Sequence, residues 1–458
     1  MYRLHVTFLC ILLIICLFWI DRKNKNIDVS PAIWIPFVWL FFASARPFSF
    51  WLHYFFGIGY YAGSIENAKI EGNPYERIYL IILILSGIIV LIRRKLDWGK
   101  LFNQNTLIWM YFIFGALSFL WSDYPFVSFK RWVKSLGTVI IVLIIITESK
   151  PYEAIGIILR RISFICLPLS ILFIWYYPKL GISYHSFSGG KMYTGIAEHK
   201  NSLGSICLVS CVYFTWKLLF SNQNKDGTGP PLHSFIYIVI LPMIVWLLYM
   251  ANSATSLACS IAAICLLLVS RLSKFVQNPR KILILGILGI IAFGLMQWAF
   301  DVKNIIITML GRRTDLTTRV PMWKDMLSMV KNPLLGFGYE SFWLGERLEQ
   351  INARWGIDSQ AHNGYLQMYL DLGYTGLFFL IGWIISGLKK VARHLAVDYP
   401  AAIFRCCFIV IVALYNYTEA TFLGGSALLF LFLFAAIDYN YEMNKNIQTI
   451  QTPWLYSK

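Results

Sequence analysis

Charge is scarce in this chain. Asp, Glu, Lys and Arg make up 14% of its 458 residues, against 58% hydrophobic residues. A soluble domain carries roughly 25% charged and 45–50% apolar residues, so a water-soluble globular fold is excluded. Acidic residues are the scarcer kind, 23 against 40 Lys and Arg, which leaves a formal charge of +17. Signatures of nucleotide, zinc-protease and serine-hydrolase chemistry are missing: the chain has no Walker A loop, no G-x-G-x-x-G after a strand, no H-E-x-x-H and no G-x-S-x-G. No D-x-D pair occurs either, and Asp123, Glu198, Asp315 and Glu340 are scattered, so neither a metal nor a cofactor is expected. The nine cysteines all fall inside apolar runs and form no C-x-x-C pair. They read as small core hydrophobes, not as disulfides or zinc ligands.

Long apolar runs, by contrast, are abundant. They lie near 2–20, 31–45, 78–92, 106–121, 134–147, 155–177, 202–220, 234–250, 254–270, 282–299, 365–388, 401–418 and 422–438. As helices, such runs cross a hydrocarbon core of about 30 Å. The roughly 10-residue alternating segments of a membrane β-barrel are absent. The expectation is an all-α polytopic membrane protein with about 12 transmembrane helices, forming one membrane domain over 1–458. The first run has no small-residue cleavage site and passes from Ile20 straight into Asp21-Arg22-Lys23, so it reads as a retained helix. Thirteen spans put the N-terminus outside and the C-terminus inside; twelve require one re-entrant run. The count turns least firmly on the stretch Pro47 to Gly63, apolar and aromatic but interrupted by Pro47, His53, Gly57 and Gly59.

Arg93-Arg94-Lys95, Lys150 with Arg160-Arg161, Arg271 to Lys281, and Lys389-Lys390 with Arg393 alternate onto one side. The excess of Lys and Arg in cytoplasmic loops explains these cations and assigns that side, with no nucleic acid required. It does not explain the other face, which carries Lys130, Arg131, Lys134, Lys191, Lys200, Arg312, Arg313 and Arg319. A cationic cavity for an anionic substrate does. The spans themselves read as nearly free of charge, which weighs against a lipid-linked glycan flippase or other transporter, the alternative reading, because passage needs polar groups along the path.

The longest outer segment, 301–364, reads as a helical loop on the periplasmic side. Thr317-Thr318 ahead of Pro321 mark a helix start, and Trp323, Met326, Leu327 and Val330 form an apolar stripe at i, i+3, i+4 and i+7. A helix lying on the bilayer surface fits this pattern, as does a packed lid. A second short helix is expected near Ser341 to Ala353. His362 stands just before the next span, where the positive end of the helix dipole favours the neutral imidazole that a general base requires. The same position suits a capping or packing histidine. Arg319 and the Arg312-Arg313 pair at the loop mouth have the planar fork that grips a diphosphate, or else meet lipid headgroups. Lys200-Asn201, opening another helix on that side, suits capping, phosphate or sugar hydroxyls.

Two motifs in this order resemble the O-antigen ligase and polysaccharide polymerase superfamily of bacterial inner-membrane proteins. One is G-I-A-E-H-K-N-S-L-G from Gly195 to Gly204. The other runs from Thr317-Thr318-Arg319 through Trp323 and Pro333-Leu334-Leu335-Gly336-Phe337-Gly338-Tyr339 to His362-Asn363-Gly364-Tyr365-Leu366 and Leu372-Gly373. Arg46-Pro47, Trp51-Leu52 and Ser122-Asp123 with Arg131 are similar to its exopolysaccharide polymerase branch. The resemblance implies a multi-pass inner-membrane enzyme of glycosyltransferase type with its active site facing the periplasm. It implies a metal-independent, inverting transfer of a glycan from undecaprenyl diphosphate to a saccharide hydroxyl, on lipid A-core in ligases or on a growing polysaccharide in polymerases. By motif, His362 is implied as the base or acceptor-positioning residue and Arg319 as a diphosphate clamp. Arg131, Lys200, Asn201, Arg312, Arg313, Asn363 and Tyr339 are implied as further substrate contacts. Many ligases of the superfamily show Ser-Arg-Gly where this chain reads Asn252-Ser253-Ala254-Thr255-Ser256, so Lys200 or Arg131 must supply the second cation, and a polymerase is the favoured branch.

Overall fold

The computed structural model describes residues 2–22, 29–58, 72–184, 189–220, 232–272, 281, 316–356 and 360–439. The run at 282–299 and the Arg312-Arg313 pair lie outside the described residues. Local sequence sets most helix starts. Asn73 accepts from the N–H groups of Tyr75 and Glu76 to open α4 (Pro74–Arg93), and Pro74 fills the first turn. Ser253, Asn363, Asp398 and Ser426 cap α10 (Ala254–Ser270), α13 (Gly364–His394), α14 (Tyr399–Tyr415) and α15 (Ala427–Ala436) in the same way. The other long helices are α1 (Tyr2–Arg22), α2 (Trp34–Ser44), α3 (Phe48–Phe56), α5 (Thr106–Leu117), α6 (Pro125–Ile146), α7 (Pro151–Tyr176), α8 (Lys200–Phe220), α9 (Ser234–Ala251), α11 (Leu316–Ser328) and α12 (Gly345–Trp355), and short helical turns lie at Trp98–Gln104 and Pro178–Gly181. A two-stranded antiparallel ribbon, β1 (Ile182–Tyr184) with β2 (Lys191–Tyr193), precedes α8.

This is an all-α polytopic membrane protein. Among the described residues six helices are long and apolar enough to cross a bilayer, and four shorter apolar helices accompany them. At the ambiguous stretch the helices on either side of Pro47, Pro31–Ser44 and Phe48–Phe56, meet at 78°, the bend of a broken span or a re-entrant loop. Pro47 has no N–H to continue the ladder.

Successive helices run back and forth, so their termini sort into two ends. One end holds 22, 29–34, 93–105, 146–151, the close of α8, and 390–399. Here charge is buried but paired: Arg160 with Asp21 at 2.8 Å, Arg405 with Asp438 at 2.6 Å, and Arg94 with Glu148. Lys390 donates to Asn105 Oδ1 at 2.7 Å and to the Ala436 carbonyl at 2.8 Å. The expectation of nearly uncharged spans is therefore corrected: Arg160, Lys217, Lys390 and Arg405 are all buried in helices. They survive there because partners replace their lost hydration.

The other end holds the described part of the expected outer loop, 316–356 and 360–364. Met322 and Met326 of α11 share a small apolar core with Phe342, Trp343, Leu348, Ile351, Ala361 and Leu370. The buried face thus differs from the expected stripe: Leu327 is exposed and Met322 takes its place. Helix α11 also begins at Leu316, which leaves Pro321 inside it. Helix α13 breaks at Gly373, with φ 63°. The break frees backbone groups that the 333–338 segment takes up. Phe337 N–H donates to the Leu370 carbonyl at 3.0 Å, Gly338 N–H to Asp371 at 2.8 Å, and Tyr374 N–H to Pro333 at 2.8 Å. A Cβ at Gly373 would lie 2.4 Å from the Leu334 carbonyl, so only glycine allows this docking.

Candidate functional site

The residues of interest converge on the loop 416–426 between α14 and α15. Asn416 organises it from inside. Its Oδ1 accepts from Thr421 N–H at 2.7 Å and Phe422 N–H at 3.2 Å, and its Nδ2 donates to the Val412 carbonyl and to Thr421 Oγ1, both at 2.8 Å. Its own carbonyl accepts from Gly364 N–H at 2.8 Å, which ties the loop to the first residue of α13.

His362 sits two residues before that helix, with φ at 50°. Left-handed backbone is uncommon for a side-chain-bearing residue and costs roughly 1–2 kcal/mol. Neighbours on both sides hold it. Trp323 Nε1 donates to the Ala361 carbonyl at 2.8 Å, and Asn363 Oδ1 caps the N–H groups of Tyr365 and Leu366, each at 3.0 Å. Below them, Gln367 Oε1 accepts from Trp343 Nε1 at 2.7 Å and Ala361 N–H at 3.2 Å, while its Nε2 donates to Asp371 Oδ2 at 2.8 Å.

The His362 Nδ1 lies 3.4 Å from Glu419 Oε2, with the imidazole 25% exposed and the carboxylate 7% exposed. The other oxygen, Oε1, accepts from Asn201 Nδ2 at 2.8 Å, and Tyr415 OH donates to the Asn201 carbonyl at 3.2 Å. Next to Glu419, the Thr418 carbonyl accepts from Arg319 Nη1 at 3.3 Å, and Thr418 Oγ1 is 2.6 Å from Thr255 Oγ1. Histidine, glutamate, asparagine and arginine thus come from four separate stretches of chain. Lys200 adjoins Asn201 at the start of α8. The arrangement offers a solvent-reachable imidazole backed by a buried carboxylate, with the Arg319 guanidinium on the carbonyl next to that carboxylate in the chain. Such a group can take a proton from a hydroxyl while an anion is held nearby.

A second node stands at the far end of the same loop. Arg131 donates to the Glu340 carbonyl, and Glu340 Oε1 accepts from Gly424 N–H at 2.8 Å. Tyr339 is fully buried against Tyr111 and its N–H donates to Ser118 Oγ at 2.9 Å. Burial pushes its phenol pKa up. The structure therefore gathers His362, Asn363, Arg319 and Asn201 around residues 416–419, with Lys200 next to Asn201 in the chain. Arg131 and Tyr339 sit by Glu340 instead. The Asn252–Ser256 turn, where the Ser-Arg-Gly pattern is missing, reaches the site through Thr255.

Sequence reasoning missed all three of Asn416, Thr418 and Glu419: it absorbed the first two into the apolar run at 401–418 and Glu419 into the short link to the next run. A signal was present. An acid, two threonines and an asparagine within six residues are conspicuous in so apolar a stretch.

The O-antigen ligase family matches residues 238–381, a range that includes Arg319 and His362 but neither Asn201 nor Glu419. The chain is 24% identical over 319 residues to the exopolysaccharide production protein ExoQ of Rhizobium meliloti, covering 65% of this chain and 68% of that protein. It is 27% identical over 204 residues to the Rickettsia prowazekii protein RP358, provisionally named a polysaccharide ligase, covering 41% of this chain and 46% of that one. Motif order, helical architecture and these matches agree in supporting a likeness to the O-antigen ligase and polysaccharide polymerase superfamily, with the family's own match confined to residues 238–381.

Proposed function

We propose that the protein transfers a glycan from undecaprenyl diphosphate to a saccharide hydroxyl at the periplasmic face of the inner membrane, with inversion and without a metal. One observation carries this reading: a partly exposed His362 stands over the buried Glu419, in a loop that Arg319 also grips. In the proposed step the acceptor oxygen attacks the anomeric carbon, and the bond from that carbon to the diphosphate oxygen breaks. The hydroxyl proton goes to His362, and the lipid diphosphate leaves carrying the bonding pair. Arg319 and Lys200 stabilise the charge that builds on the leaving group. A positioned base contributes about 100- to 10,000-fold to such a transfer. Similarity to an exopolysaccharide production protein, with no arginine between Asn252 and Ser256, supports chain extension over transfer to lipid A-core.

The test uses full-length protein in lipid nanodiscs with a lipid-diphosphate glycan and a saccharide acceptor. Wild-type protein should form a longer glycan, in the presence of a chelator as well. His362→Ala and His362→Gln should both fail while still binding donor. Substantial turnover by His362→Gln would remove the base role, and a chelator-sensitive wild-type reaction would remove the metal-independent one.

A further inference from the structure

We propose that Glu419 is the positioning residue for His362: it holds the ring proton on Nδ1 and leaves Nε2 as the basic nitrogen toward the acceptor. The inference rests on the reading of His362 as the base. An ionised carboxylate can only accept hydrogen bonds. Its Oε1 is already engaged by Asn201 Nδ2 at 2.8 Å, so Oε2, facing Nδ1 at 3.4 Å, requires a proton on that nitrogen. That distance is long for a charge-assisted bond, and such contacts tighten when substrate binds. The backbone of His362 is fixed on both sides, by the Trp323 bond to Ala361 and by the Asn363 cap. Ring orientation and proton position are what remain to be set, and Glu419 sets both. Once Nε2 takes the acceptor's proton, the same carboxylate faces an imidazolium and stabilises it, as the buried aspartate does in the serine-protease triad.

The geometry makes an unusual substitution informative. In Glu419→Gln, Asn201 still needs an acceptor, so the amide oxygen turns to Asn201 and the amide NH2 faces His362. Nδ1 must then accept, and the proton moves to Nε2, where it blocks the base. Adding Asn201→Asp reverses the amide: aspartate accepts from the Gln NH2, and the Gln oxygen faces Nδ1 again.

Full-length protein labelled with ring-¹⁵N histidine reports the tautomer by NMR, with His362 assigned by subtracting the His362→Ala spectrum from those of the seven histidines. The expected result is an Nδ1–H tautomer in wild type, Nε2–H in Glu419→Gln, and Nδ1–H again in the double variant. Turnover in Glu419→Gln should fall about 100- to 10,000-fold with donor affinity unchanged. Glu419→Asp, which keeps a carboxylate, should retain more turnover than Glu419→Gln. An unchanged tautomer in Glu419→Gln overturns the proposal even if turnover falls, because the residue is then only structural. If wild-type protein transfers no glycan at all, the proposed function fails, while the tautomer measurement still decides the role of Glu419.

Discussion

Replacing Gly364 with alanine perturbs the site without touching any residue that carries chemistry. Gly364 is the first residue of α13 and its φ is negative, so an alanine there suits the helix and on propensity alone gains up to about 1 kcal/mol. The surroundings reverse that sign. A Cβ would lie 2.2 Å from Asn416 Oδ1, 2.8 Å from its Cγ and 2.9 Å from its Cβ. Asn416 has no freedom to yield, because its amide makes four hydrogen bonds within the loop. Overpacking of this kind costs about 1–3 kcal/mol. Moving the loop by even about 1 Å also draws Glu419 away from His362, and misplacement on that scale costs roughly 100-fold in rate.

A double-mutant cycle isolates the contact. Asn416→Ala leaves the N–H groups of Thr421 and Phe422 without acceptors, at about 1–3 kcal/mol for each buried orphan. If the two sites were independent, Gly364→Ala with Asn416→Ala would cost the sum. In the structure, Asn416→Ala removes the contacts at 2.2 and 2.8 Å and leaves only the Cβ at 2.9 Å against the new methyl. The double variant should therefore lose less than the sum of the two single losses, with a coupling of about 1–3 kcal/mol. Denaturant unfolding of the purified protein in detergent, read by tryptophan fluorescence, measures all four corners, and glycan transfer measures the activity of Gly364→Ala. Additive losses, or a Gly364→Ala protein with wild-type stability and turnover, would refute the argument.

Three further outcomes follow from the same geometry. Arg319→Lys should be nearly as damaging as Arg319→Ala, about 30- to 1,000-fold in rate, because an ammonium does not reproduce a planar fork; near-normal glycan with lysine would reduce Arg319 to a source of general positive potential. A cysteine at Glu346, in the exposed first turn of α12, should react with an impermeant maleimide in intact spheroplasts, and labelling only after lysis would invert the membrane orientation. At the opposite end, Arg160→Ala should lower stability by about 3–5 kcal/mol by stranding the buried Asp21, whereas replacing both partners with apolar residues should be milder; equal losses would show that the pair acts through packing alone.

What could be read from sequence followed interaction range. The apolar runs near 254–270, 365–388 and 401–418 lay within two residues of the starts of α10, α13 and α14, whereas the run at 422–438 opened before α15, whose start the Ser426 cap sets at Ala427. The break at Pro47 was legible because proline and glycine interrupt a run that composition would otherwise continue. Among the described residues, Arg93-Arg94-Lys95, Lys150 and Lys389-Lys390 lie toward one end and Lys130, Lys200 and Arg319 toward the other, as span order alone suggests, whereas Arg160 is buried inside α7. The buried face of α11 was not legible, since Met322 or Leu327 could each complete a helical stripe and only α12 and the 342–343 segment decide between them. Arg131 and Tyr339 appeared with the site because they lie in the same motifs, yet their side chains turn to Glu340 and Tyr111. Glu419 was the hardest to see, because its partners lie 218 residues away at Asn201 and 57 residues away at His362. No spacing rule links positions that far apart. Scarcity could have exposed it instead. A chain with 23 acids in 458 residues keeps few of them beside membrane spans, and each one needs a partner or a task. Asking that question of every such acid leads from Glu419 to the basic and amide-bearing helix starts on the same side, and His362 and Asn201 are among the few that qualify.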